Sequence, residues 1–289
     1  MNIAIIPNLT RENALDVTNC VVEELKKLGA NYFFEKNTAE NIKNISKEHT
    51  LDEDELLDYC DIVISIGGDG TILHTAKKAA IFHKPVLGIN AGRLGFMADI
   101  EKNEISLLKK LIDGDYSIEK RMMLETSIML NGEVEKKLYS INDTVFSRGT
   151  TLKLVEITVE CDGKEVHKYL ADGVIIATPT GSTAYSLSAG GPIVDPSIES
   201  MVLTPICTHS LFFRSVVFNA ESVLKMCAED FNSNDVYLSC DGEKSLHITK
   251  DNCVLIKKAD ISAKFIKLKT DNFVDTLNRK FSERNSQKI

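Results

Sequence analysis

Asp69 is the residue of this 289-residue chain best suited to proton chemistry, and its neighbours say why. It stands in Gly67-Gly68-Asp69-Gly70-Thr71, directly after the apolar run Ile62-Val63-Ile64-Ser65-Ile66 and ahead of a helix-like segment from Thr71 to about Ala80. A short β-branched run reads as a buried strand. Glycines at its end admit a backbone or a phosphate where a Cβ would clash. The start of a helix offers unpaired N–H groups and a positive dipole end, which suits anions. A carboxylate beside such a cradle can take a proton from an attacking hydroxyl, as phosphoryl transfer requires. Gly-Gly-Asp-Gly is also good turn chemistry, so on these residues alone an ordinary βα loop stays open.

Three further clusters carry polar groups in patterns that suit a nucleotide. Asn90-Ala91-Gly92-Arg93-Leu94-Gly95-Phe96 follows the next strand, and by itself reads equally as an interdomain loop. Thr178-Pro179-Thr180-Gly181-Ser182-Thr183-Ala184-Tyr185-Ser186 lies after a strand and before a small-residue helix. Hydroxyls and amides crowded at a helix start can bond sugar or phosphate oxygens, and Tyr185 can stack on a base; a Ser/Thr-rich helix cap is the plainer alternative. Asn142-Asp143, ahead of a strand, offers an amide and a carboxylate that could grip a ribose diol, although Asn-Asp is usually a turn.

The elements that must position these residues change character along the chain. Ile3–Ile6, Tyr32–Phe34, Ile62–Ile66 and Pro85–Asn90 read as strands. Between them, Leu15, Val21, Val22, Leu25 and Leu28 recur at helical spacing up to a Gly29 stop, and Asp52–Tyr59 reads as a short acidic helix. This alternation favours a parallel, helix-covered sheet, with ligands at the carboxyl ends of its strands, where Asp69 and Asn90 fall. A helix bearing Ile105, Leu108, Leu111 and Ile112 closes this part. Beyond about residue 115 the pattern is strands: Asn131-Gly132 and Asp162-Gly163 are hairpin signals. Val155, Ile157, Val159 and Cys161 alternate with Glu156, Thr158 and Glu160 as a half-buried antiparallel strand does. Segments 173–177, 216–218, 223–226, 236–239, 246–249, 253–257 and 263–268 read as further strands, and Phe273, Val274, Leu277 and Phe281 as a terminal helix able to pack back on the first domain. The expected organisation is an α/β domain over 1–115, an all-β domain over 116–268 and a returning helix over 269–289, with the last few residues frayed.

Composition narrows the function classes. A net charge of −8 argues against general nucleic-acid binding, and no stretch approaches the length of a membrane span. Seven scattered cysteines, Cys20, Cys60, Cys161, Cys207, Cys227, Cys240 and Cys253, include no Cys-x-x-Cys pair, so neither a zinc site nor a redox dithiol is signalled. They read as reduced core residues of a cytoplasmic protein, and Met1–Pro7 reads as a first strand rather than a leader.

Taken together, the Gly67–Gly70 loop, the Asn90–Phe96 element, Asn142-Asp143 and the run from Asp172-Gly173 to Gly191-Pro192 resemble the NAD kinases, in matching order over roughly residues 60–245. The Gly-Gly-Asp-Gly loop alone is shared with phosphofructokinases and lipid kinases; the Pro-Thr-Gly-Ser-Thr-Ala-Tyr run is far more specific. The resemblance implies a Rossmann-like first domain, and phosphorylation of the adenosine-ribose 2′-hydroxyl of NAD to NADP. The implied donor is ATP or polyphosphate, with a divalent metal such as Mg2+. It implies Asp69 as general base and a dinucleotide site drawn from Gly67, Gly68, Gly70, His74, Asn90, Asn142, Asp143, Lys153, Asp172, Thr183, Ala184, Tyr185, Ser186, Leu187, Ser188 and Glu243. No direct metal ligand is assigned. Asn142 and Asp143 would hold the ribose and nicotinamide side, Asp172 the nicotinamide, and Thr183–Ser188 the adenosine. A homodimer or homotetramer is implied, with neither nucleic acid nor membrane as partner. Asp143 where many members have Glu, Glu243 where Gln is common, and Leu170 where a basic residue is frequent bear on the choice between oxidised and reduced dinucleotide. Competing readings are a lipid or sugar kinase sharing only the first loop, which leaves Thr178–Pro192 without a purpose, and a silent dinucleotide sensor, which leaves Asp69 without one.

Overall fold

Apolar runs of five or six residues between amphipathic segments bury best as a sheet covered on both faces, and the amino-terminal part folds that way. The computed structural model describes every residue except 43–48, 93–94, 150–152, 210–213, 229–235 and 287–289. It divides into two units, Met1–Lys120 with Ala263–Ile289, and Arg121–Ser262.

The first unit runs β1 (Asn2–Pro7), α1 (Ala14–Lys27), β2 (Asn31–Glu35), α2 (Lys36–Ala39), β3 (Thr50–Leu51), α3 (Glu53–Tyr59), β4 (Ile62–Gly67), α4 (Asp69–Ile81), β5 (Pro85–Asn90) and β6 (Ile100–Glu101). A 3-10 turn over Lys102–Leu107 then leads into α5 (Leu108–Asp113). The strands pair in parallel in the order β3-β2-β1-β4-β5, with β6 also on β5. Ile3, Ile5, Ile62, Ile64, Ile66, Leu87 and Ile89 meet Val17, Val21 and Leu25 of α1 and Leu108 and Leu111 of α5 in one core. Ile72 and Ala76 of α4 and Leu56 and Leu57 of α3 are buried as well. Gly29, at φ +67°, ends α1 as its position suggests.

The second unit is built from antiparallel pairs. Its strands are β7 (Ser117–Leu130), β8 (Glu133–Ser140), β9 (Asp143–Arg148), β10 (Val155–Cys161), β11 (Lys164–Ala171) and β12 (Gly173–Ala177), then, after the one-turn helix α6 (Tyr185–Ser188), β13 (Ser200–Ile206), β14 (Val216–Asn219), β15 (Leu224–Ala228), β16 (Val236–Cys240), β17 (Leu246–Ile248) and β18 (Asn252–Lys267). One sheet runs β14-β13-β12-β9-β16-β17; in the other, β11, β10, β15 and β18 neighbour in turn, and β7 pairs with β18 and β8. Phe146, Val174, Ile176, Leu203 and Leu238 of the first sheet pack with Ile157, Val159, Tyr169, Met226 and Val254 of the second. On the first sheet's other face, Val145, Ile175, Ala177 and Val202 pack with Ala189 and Val194. Both hairpin signals hold: Asn131-Gly132 joins β7 to β8 and Asp162-Gly163 joins β10 to β11, all four residues at positive φ as a type I′ turn requires.

After β18 the chain ends in α7 (Phe273–Ser286). From Ala263 onward it belongs to the first unit. There Lys264 and Phe265 pair in parallel with Pro85 and Val86, the Leu268 N–H donates to Asp99 (2.7 Å), Lys110 reaches the Leu268 carbonyl (3.2 Å) and Lys269 pairs with Glu104 (2.7 Å).

Several expectations need correction. The strands read at 253–257 and 263–268 are one strand, β18, because Lys258–Ser262 continues the extended backbone without a turn signal. β13 escaped the sequence reading: buried on both faces, it shows no alternation, and it carries Pro205. That proline lies beyond the residues that pair with β14. The small-residue helix after Thr178 is only a 3-10 turn, Gly181–Thr183, and α6. Thr158, read as outward, is buried, and Val274 of α7 is exposed. The cysteines are not all reduced core residues: Cys227 and Cys253 sit opposite one another on β15 and β18, Cα atoms 4.6 Å apart, and are disulfide-bonded, while Cys20 and Cys207 are exposed. The last residues, expected to fray, lie outside the described residues, as does the side chain of Phe281. No helix among the described residues is long and apolar enough to cross a membrane.

Candidate active site

β4 is buried along its whole length and delivers its glycines at the carboxyl edge of the parallel sheet. Gly67 is held close to α4: a Cβ there would lie 2.7 Å from the Thr71 side chain. Gly68 is the extended N-cap of α4 and Asp69 its first residue, so the helix starts two residues earlier than expected. A Cβ at Gly68 or Gly70 would meet only open space. The Asp69 carboxylate is fixed by backbone N–H groups in the connection between β5 and β6. Oδ2 accepts the Phe96 N–H (2.7 Å) and Oδ1 the Met97 N–H (3.0 Å). Gly95 completes that seat, because a Cβ there would fall 1.7 Å from Asp69 Oδ1.

Asn90 stands level with Gly67 in the β4–β5 register. Its amide nitrogen donates to Glu101 (2.8 Å) and its oxygen accepts the Gly92 N–H (3.0 Å), so the side chain braces its own loop. Burial raises the pKa of Glu101, opposed by this bond from Asn90. Arg93 and Leu94 of the same loop lie outside the described residues. Beside the start of α4 a cavity of about 590 Å³ is lined by Asn8, Thr10, Arg11, Asn37, Gly70 and His74, among others. Asn8 also donates to Thr71 Oγ1 (3.0 Å). His74 is an exposed residue in the second turn. A helix start, an arginine and a histidine around one cavity give it the character of an anion site.

In the second unit, the residues from Ile141 to Asp143 lead into β9, and the first four residues after β12 fold over them. Thr178 donates its N–H to the Asn142 carbonyl (2.8 Å) and its hydroxyl to that of Ile141 (2.5 Å). Gly181 lies against the same peptide, where a Cβ would sit 1.9 Å from the Asn142 oxygen. The Asp143 carboxyl is buried and accepts the Tyr185 N–H. Burial, and next the charge of Asp241, push its pKa up to about 7 against that bond. Tyr185 is 46% exposed, as a residue that stacks on a ligand must be before binding. Thr183, Ala184 and Leu187 are half-buried and Ser188 is exposed, but Ser186 points inward, its hydroxyl 3.0 Å from that of Thr204. Asp172 accepts a 2.5 Å bond from Arg148 Nε. Lys153 and Glu243 are exposed.

The structure thus gathers Gly67, Gly68, Asp69, Gly70, His74 and Asn90 at one edge of the first unit, and Asn142, Asp143 and Thr183–Ser188 at one loop cluster of the second. Sequence reasoning read Thr178 and Gly181 only within a ligand-binding or capping run and Gly95 only within a glycine-rich loop, and gave Asp241 no role. Each acts on a partner distant in sequence; the only local signal is the Asp241-Gly242 pair, both at positive φ.

Comparison with known proteins decides what this geometry belongs to. The model of the ATP-NAD kinase N-terminal domain matches residues 3–116, and that of the ATP-NAD kinase C-terminal domain matches 141–268. The chain belongs to the NAD kinase family. The NAD kinase of Caldanaerobacter subterraneus subsp. tengcongensis is 39% identical over 98% of this chain and 99% of its own, and that of Acetivibrio thermocellus 35% identical over 98% of each. Among solved structures, the yeast NADH kinase complexed with NADH superposes with a TM-score of 0.86 at 25% identity, covering 96% of this chain and 86% of its own. An NAD kinase from Archaeoglobus fulgidus in complex with ATP gives 0.72 at 26% identity over 96% of both. As an NAD kinase the chain is a phosphotransferase, with NAD and ATP as the small molecules of its family.

Proposed function

We propose that this NAD kinase transfers the terminal phosphate of ATP, or of polyphosphate, to the adenosine-ribose 2′-hydroxyl of NAD, with Asp69 as general base. The observation that carries this reading is the seating of Asp69. A carboxylate at the first position of α4, with each oxygen bonded to a backbone N–H, keeps further lone pairs for an incoming hydroxyl and is held in one orientation. Such preorganisation suits a group that must meet a proton at hydrogen-bond range. The amides at the start of α4, with Arg11 and His74 at the neighbouring cavity, suit the donor's phosphates. Asn142 and Asp143 would grip the nicotinamide-side ribose, Tyr185 would stack on the adenine, and Asp172 and Lys153 would meet the rest of the dinucleotide. Ser186, turned inward, would act through the fold rather than by contact.

Among the described residues no group of three or more His, Cys, Asp or Glu could hold a metal ion. A divalent cation would enter on the donor's phosphates, as part of the substrate, where it would offset their charge. A homodimer or homotetramer in the cytoplasm completes the reading; light scattering after size-exclusion chromatography tests the assembly. The deciding assay incubates the enzyme with NAD, ATP and Mg2+ and follows NADP, with NADH and polyphosphate in parallel arms. Asp69→Asn is expected to lower kcat by ~10²–10⁴ while NAD still binds. Undiminished turnover would remove Asp69 from the mechanism.

A further inference from the structure

Asp241 belongs to none of the roles assigned so far, yet it holds the segment that carries two of them. We propose that Asp241 is a positioning residue for the dinucleotide, its carboxylate locking Ile141–Asp143 in the backbone conformation that presents the Asn142 amide.

Three successive N–H groups converge on this one side chain. Oδ2 accepts from Ile141 (2.9 Å), and Oδ1 accepts from Asn142 (2.8 Å) and Asp143 (3.2 Å). The Asp241 N–H returns a bond to the Asp143 carbonyl (3.0 Å). Thr178 takes the two remaining carbonyls, those of Ile141 and Asn142. All six backbone polar groups of the segment are therefore satisfied, by two residues alone. Successive N–H groups aimed the same way form an anion-binding nest, and here the anion is the chain's own carboxylate. Without Asp241 the three donors would lose the one acceptor they share.

The geometry also leaves one group over. The Asn142 side chain has no hydrogen-bond partner among the described residues, and it is half-buried at the surface of the cluster. Its backbone is pinned on both sides while its amide is left for a ligand. Asp241 can do this because it sits at φ +54° and is followed by Gly242 at +70°, a turn that aims its carboxylate back across β9. The apposition is long-range: Asp241 and Ile141 are 100 residues apart.

This inference rests on the reading that Asn142 and Asp143 hold NAD, so the experiment separates the two. In the full-length enzyme, Asn142→Ala is expected to raise KM for NAD about tenfold, a loss typical of a hydrogen bond to substrate. Asp241→Asn keeps the shape but turns an NH2 toward N–H donors. It is expected to raise KM for NAD about tenfold or more and to leave KM for ATP within about twofold. In the wild type, the amides of Ile141, Asn142 and Asp143 are expected to be protected from hydrogen exchange, and in Asp241→Asn to exchange at least about tenfold faster. If Asp241→Asn does not accumulate as folded protein, the wild-type exchange still decides, since rapid exchange at these three amides overturns the clamp. If Asn142→Ala weakens NAD while Asp241→Asn does not, the clamp is wrong and the site reading stands. If Asn142→Ala changes nothing, the site reading falls and this inference with it.

Discussion

A single methyl group tests how Asp69 is held. Gly95→Ala would place a Cβ 1.7 Å from Asp69 Oδ1, and no rotation of the new side chain can relieve a clash made by the Cβ itself. The carboxylate must leave its seat. We expect kcat to fall at least about tenfold with KM for NAD nearly unchanged, the pattern of a lost transition-state interaction; wild-type kcat would contradict the seating. Asp143 gives a pH signature. Its carboxyl is pushed up to about 7 from an ordinary aspartate's 3.8, so the folded state holds that proton more tightly than the unfolded chain. The destabilisation is therefore absent below about 4, grows as pH rises, and is complete above about 7. Asp143→Asn is expected to melt higher than wild type at pH 8, to match it at pH 4, and to bind NAD more weakly than wild type at pH 8, where Asp143 is ionised. A melting difference that does not vary with pH would sink this account. The ionised form of Asp143 is the one that accepts sugar hydroxyls, so wild-type affinity for NAD should strengthen between pH 6 and 8.

At the scale of elements, the β4–α4 junction was legible because strand, glycines and helix start are contiguous and each has a local signature. The same is true of the two hairpins, whose Asn-Gly and Asp-Gly residues adopt the positive φ that their types permit. β13 was not legible, because full burial erases alternation and Ser200–Ile206 lacks the β-branched run that marks the equally buried β4 and β12. Nor was the clamp, since nothing near Asp241 or Gly95 in sequence reveals that its partner lies on another strand end. Gly181 illustrates the difference. Its sequence context suggests a helix cap, but its requirement comes from the Asn142 peptide packed against it. Gly181→Ala is expected to displace that turn, destabilising the protein by about 1–3 kcal/mol and weakening NAD binding while sparing ATP. Equal loss of affinity for both substrates would point to general unfolding instead.

For the whole molecule, the cross-link between β15 and β18 encloses the excursion that carries β16, Asp241 and β17. With its ends 26 positions apart in sequence, restricting the unfolded chain in this way is worth about 3 kcal/mol on a chain-entropy view. Reduction, or Cys227→Ser, should lower the urea midpoint accordingly, and an unchanged midpoint would show that the bond does not form in solution. The interrupted path of the first unit has a consequence for synthesis. Ribosomes deliver the chain amino end first, at roughly 5–20 residues per second. Arg121–Ser262 emerges as one uninterrupted stretch, whereas the strand on the other edge of β5 from β4, and the groups that bind Asp99, Glu104 and Lys110, are encoded after it. The half of the enzyme that leaves the ribosome first is thus the half that finishes folding last, and a message truncated after Ser262 would yield a complete second unit beside a first unit still missing its closing strand.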